Sequence, residues 1–140
     1  MHYQLTIIEI MRGNAKAALE AAQSEPPGWQ VDALALARQN GSDPAQADAA
    51  LQTHVDTDAA AGAFQIAQTY ALRNNPDKTF EWLDRAWSNR DAGVSYLLFD
   101  PFILRFRDDP RFAAFCKKVG LPATTTAKAM AVPAAKANKP

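Results

Sequence analysis

Few side chains in this 140-residue chain could do chemistry, and the spacing of each candidate works against it. His2 and His54 are the only histidines. A structural or catalytic metal needs several ligands at recurring short spacings. His54 and Asp58 are four residues apart, but a turn expected near Thr57 would separate them, so no metal ligands are assigned. Cys116 lies between Phe115 and Lys117, and Lys117 with Lys118 could lower its pKa. No histidine lies near it in sequence, so it reads as a half-buried structural thiol. The carboxylate pairs Asp108-Asp109 and Asp56/Asp58 could exchange protons. Each falls at an expected helix boundary, where an acid caps the helix and complements its dipole. All six glycines are isolated, which excludes a glycine-rich phosphate loop. Arg105, Arg107 and Arg111 among phenylalanines resemble a nucleic-acid face, yet Asp100, Asp108 and Asp109 are interleaved with them and favour pairing within the chain. The chain therefore reads as non-enzymatic, with no cofactor. An enzyme whose site assembles from distant residues such as Cys116 and His54 is the remaining catalytic alternative.

Composition points the same way. Lysine plus arginine equals aspartate plus glutamate at 15 each, so no overall field steers the chain toward nucleic acid or membrane. The charge is spread unevenly: residues 1–72 are acidic, whereas residues 73–122 and the segment carrying Lys128, Lys136 and Lys139 are basic. A single cysteine excludes an internal disulfide. The apolar run Leu5 to Met11 is short and carries Glu9, so it matches neither a signal peptide nor a membrane span. A cytoplasmic, soluble protein is expected. At 48% apolar residues, the chain can build one real core.

Helices must position these residues. There is no extended period-two alternation, and alanine is dense from Ala15 to Ala63. Breakers recur at short intervals: Gly13-Asn14, Pro26-Pro27-Gly28, Asn40-Gly41-Ser42-Asp43-Pro44, Asn74-Asn75-Pro76-Asp77, Asp91-Ala92-Gly93, Asp100-Pro101 and Asp109-Pro110. Asp43-Pro44, Asn75-Pro76 and Asp109-Pro110 each place a capping oxygen before a proline suited to the first helical position. Gly120 and Pro122 should stop the last helix. Beyond Pro122 the chain is mostly alanine, threonine, lysine and proline, which predicts a disordered tail over 123–140.

The segments between breakers repeat. Leu34-Ala35, Asn40, Asp43-Pro44, Ala47 and Leu51 align with Ile66-Ala67, Leu72, Asn75-Pro76, Thr79 and Leu83 at an offset of about 32 residues. Upstream, Gly13 and Ala18 resemble the turn and small residue of an earlier copy. In the copy from Ala60 to Asp91, Ala67, Thr79 and Ala86 are small enough for close helix approach, and Ile66, Tyr70, Leu83 and Trp87 can fill the space between pairs. This pattern resembles the tetratricopeptide repeat. Departures are Thr79 for alanine, Asp91 for the closing proline, Ala63 for an aromatic, Arg38 for tyrosine and His54 for a small residue. The stretch from Phe99 to Pro122 is similar to the closing segment of bacterial tetratricopeptide regulatory proteins, with Phe99, Phe102, Phe106, Phe112 and Phe115 available to cover and Arg105, Arg107, Lys117 and Lys118 to face water.

The resemblance implies an all-α, right-handed solenoid over 1–122, with helix hairpins at about 1–27, 28–59 and 60–91 and a capping hairpin at 92–122. It further implies a concave groove lined by the first helix of each pair. Carried onto this chain, the groove positions are Trp29, Asp32, Leu36, Gln39, Phe64, Gln68 and Leu72. The family's carboxylate-clamping groove uses lysine, asparagine and arginine, which are missing here. The groove should instead take an apolar or mildly basic peptide or helix. The first helix, with Leu5, Ile7, Ile8 and Ile10, has no earlier pair to cover it. Oligomerisation through that helix, giving a homodimer, is the alternative role.

Overall fold

The computed structural model describes residues 2–122. The tail expected over 123–140 lies outside the described residues. Those described form seven α-helices and two 3-10 segments, with no strand among them. The helices are α1 (Tyr3–Met11), α2 (Ala15–Gln23), α3 (Pro27–Arg38), α4 (Pro44–Asp58), α5 (Ala63–Leu72), α6 (Pro76–Ser88) and α7 (Pro110–Val119). The 3-10 segments, Ala92–Phe99 and Ile103–Phe106, lie between α6 and α7.

Local chemistry sets the helix ends. Asn14, Asp43, Asn75 and Asp109 accept hydrogen bonds from backbone N–H groups of the first turns they precede. Pro44, Pro76 and Pro110 occupy first-turn positions, where a missing N–H costs nothing. Four helix ends close through a residue in the left-handed region: Gly13, Asn74, Arg90 and Gly120. At each, the next residue's N–H reaches back to a carbonyl in the last turn, as Asn75 does to Tyr70 (3.0 Å) and Asp91 to Ala86 (2.9 Å). In three of these junctions the residue after the left-handed one (Asn14, Asn75, Asp91) caps the next element, so only three residues separate one element from the next.

α1 packs on α2, α3 on α4 and α5 on α6, α7 lies against α6, and α3 also touches α1, α2 and α5. A single apolar core results, from Ile10 in α1 to Cys116 in α7. Ala67, Thr79 and Ala86 are wholly buried, where small side chains let helices approach closely, and Ile66 and Leu83 fill the space beside them. Two aromatics depart from the expected packing. Trp87 is exposed at the end of α6, and Trp82 takes the interior place with Arg85 4.5 Å above its ring. Phe99 is also exposed, while Phe102, Phe112 and Phe115 cover the core. No helix among the described residues is long and apolar enough to cross a membrane.

Candidate functional site

The expected turn near Thr57 does not form. α4 runs unbroken to Asp58, with the Thr53 and Thr57 hydroxyls donating to the Ala49 and Thr53 carbonyls one turn back. His54 and Asp58 therefore share one helix face. Asp32, one turn into α3, meets them there. His54 Nε2 lies 2.9 Å from Asp32 Oδ1, and both side chains are almost completely buried. One donor atom from each of Asp32, His54 and Asp58 falls within 4.8 Å of the others. Gly62, at the start of α5, closes over the group: a Cβ there would lie 2.5 Å from Asp58 Oδ2 and 2.9 Å from His54 Nε2. Its φ of −102° suits any residue, so glycine is required here for space.

A second polar chain crosses the same interior. The Tyr3 hydroxyl of α1 donates to Gln68 Oε1 in α5, and Gln68 Nε2 donates to Asp100 Oδ2. The other Asp100 oxygen accepts from the Phe102 (3.0 Å) and Ile103 (2.8 Å) N–H groups, fixing the second 3-10 segment. Burial pushes the Tyr3 phenol well above its usual pKa, with the Asp32 and Asp100 charges adding to the effect. Burial also raises the Asp100 carboxyl, against the pull of its three hydrogen-bond donors. The Asp58 carboxyl is raised by burial and then by the Asp32 charge, and only partly relieved by His54.

The groove assignment needs correction on this geometry. Leu36 is wholly buried, and Asp32, Phe64 and Gln68 are nearly so. Gln39 spends its amide on the Ala35 and Ala47 carbonyls, at 2.8 and 3.0 Å. Leu72 packs half-buried against the core, leaving Trp29 as the only fully exposed member. The reason is long-range packing. The segment after α6 lies across α5 as well as α6: Gly93 sits against Phe64, Asp100 takes Gln68, and Arg105 donates to the Ala71 and Leu72 carbonyls. Tyr3 approaches from α1, and His54 of α4 lies against Asp32.

The catalytic alternative gains no support from the Cys116 environment. Cys116 is buried under α7, and burial pushes its thiol pKa up, the opposite of what activates a nucleophile. On the surface, Leu5, Ile8 and Met11 are exposed along one side of α1, while Ile7 is half-buried and Ile10 lies in the core. Only this side of α1 is left open.

No protein-family model, curated protein or solved structure matches this chain.

Proposed function

We propose that the chain is a non-catalytic interaction module of tetratricopeptide-like helix pairs that engages another protein through the outer side of α1. The observation that carries this reading is the stripe of Leu5, Ile8 and Met11, 43%, 44% and 63% exposed. Spacings of three place these side chains on one helix face, where they form an apolar strip with no covering element among the described residues. Two features support the helix-pair reading. α1 with α2, α3 with α4 and α5 with α6 are consecutive packed pairs, and α1, α3 and α5 follow one another in contact. Such a stack always has an end helix with one face unpaired.

The partner that fits best is a second copy of the chain. The only charged residue within α1 is Glu9, which is buried and paired with Arg12 at 3.0 Å. Two such faces meet without repulsion, and an apolar strip is self-complementary across a two-fold axis. The inner face of α3 and α5, already filled, offers a peptide little purchase. Sedimentation velocity on the wild type and on Ile8→Asp tests the reading. A dimer that the variant dissolves while keeping its helical circular dichroism supports it. A wild type that stays monomeric up to hundreds of micromolar removes self-association as the role.

A further inference from the structure

We propose that Asp32, His54 and Asp58 form a binding site for one divalent first-row transition ion, zinc foremost, which ties α3 and α4 together beneath the start of α5. The site is independent of the α1 face and of any partner bound there.

Three independent features converge on it. The first is the donor geometry. An ion about 2.0–2.2 Å from each donor holds its ligands roughly 3–4 Å apart. The three donor atoms here lie within 4.8 Å of one another, and His54 Nε2 and Asp32 Oδ1 are 2.9 Å apart. The second is an orphaned imidazole. His54 is completely buried, and neither ring nitrogen has a hydrogen-bond partner among the described residues. Nε2 is close enough to Asp32 Oδ1 to bond, but the oxygen lies off the line of the ring N–H, and Oδ1 is equally without a partner. Two donor atoms this close that do not bond each other are placed as adjacent ligands of one ion. Otherwise each would carry the full cost of an unmade buried hydrogen bond. The third is charge. Two carboxylates share this enclosed space, and a dication removes the repulsion that burial makes expensive.

The donor set fixes the class of ion. One imidazole and two carboxylates suit zinc and its neighbours, whereas calcium and magnesium prefer all-oxygen surroundings and copper(I) prefers thiolates. Asp58 is only half-buried at the end of α4 and provides the route inward. Gly62 completes the enclosure, because any side chain there would occupy the space of the Asp58 and His54 donor atoms.

The test uses the full chain, stripped with a chelator, in a His2→Gln background so that His54 is the only imidazole. Cobalt(II) titration should give visible ligand-field bands saturating at one ion per chain. Zinc should shift the His54 Nε2 resonance in long-range proton–nitrogen spectra, a readout that needs no change to the site. At a hundredfold excess over Kd, zinc should raise Tm by roughly 5–10 °C, and millimolar magnesium should not. Asp58→Asn and Gly62→Ala should each weaken cobalt binding by at least about tenfold. An unmoved His54 resonance at saturating zinc, or wild-type affinity in folded Asp58→Asn, would overturn the site.

Discussion

Adding one methyl group to this chain should have opposite effects at two glycines. A Cβ built on Gly93 falls 2.7 Å from both Cβ and Cγ of Phe64 and 2.8 Å from Cδ1. Phe64 can rotate its ring, but its Cβ is fixed to the α5 backbone, so relief requires the Ala92–Phe99 segment to lift away. Overpacking of this kind costs about 1–3 kcal/mol. Restricting the unfolded chain returns about 0.4–1 kcal/mol. Gly93→Ala should therefore destabilise by about 1–2 kcal/mol, lowering Tm by roughly 3–8 °C. Gly28 is exposed in the first turn of α3, and a Cβ there meets nothing within 4 Å. Only the helix-propensity and entropy gains remain, so Gly28→Ala should stabilise by about 0.5–1 kcal/mol. Urea unfolding followed by circular dichroism measures both. A neutral or stabilising Gly93→Ala would show that the segment is not clamped onto α5, and the account of why Phe64 and Gln68 are buried would fail with it.

Two further perturbations address the carboxylates. Asp91 accepts from the Gly93 N–H (2.8 Å) and from the Phe64 N–H at the start of α5 (2.9 Å), where Gly62 has no side chain to cap the helix. Asp91→Ala should cost about 2–3 kcal/mol in urea unfolding, with Asp91→Asn intermediate; an Ala variant as stable as wild type would refute the shared-cap role. For Asp58, the raised folded-state pKa means that the unfolded chain loses its proton first as pH rises through the ordinary aspartate value. Stability is then lost until pH passes the raised folded value, and the penalty persists at neutral pH. In chelator, Asp58→Asn should match or exceed the wild-type Tm at pH 7, and this advantage should shrink as pH falls through the usual aspartate range. A constant advantage at every pH would contradict the assigned direction.

The helix starts were legible because capping is local. Asp43-Pro44, Asn75-Pro76 and Asp109-Pro110 act within one turn of themselves, and the structure uses all three. The His54–Asp58 pair was equally present in the sequence as an i, i+4 spacing. The turn expected near Thr57 hides it, although threonine hydroxyls can bond back into their own helix, as those of Thr53 and Thr57 do. That a closing segment would cover the last helix pair was legible in its phenylalanines, but which residues of α5 it would lie over was not. Periodicity marks Phe64 and Leu72 as lying on an apolar face but does not name what lies over it, and Gln68 meets Asp100 across 32 residues of chain. Asp32 is not legible as an interior group because carboxylates are seldom buried, and the residue it lies beside, His54, comes from another helix. The exchange of Trp87 for Trp82 reflects small differences in angle around α6, finer than a residue pattern resolves.

The buried polar groups also answer a question raised by the alanines. Helices α2 to α5 bury Ala18, Ala22, Ala33, Ala35, Ala37 and Ala67, whose surfaces are nearly featureless. An interior of small, similar side chains distinguishes poorly between one helix register and the next, since sliding by a turn replaces alanine with alanine. Polar pairs discriminate sharply, because a misplaced donor or acceptor is left unpaired at full cost. Tyr3–Gln68–Asp100 joins α1, α5 and the second 3-10 segment, and Asp91 joins α5 to the first 3-10 segment. Each connects elements whose alignment alanine leaves loosely specified.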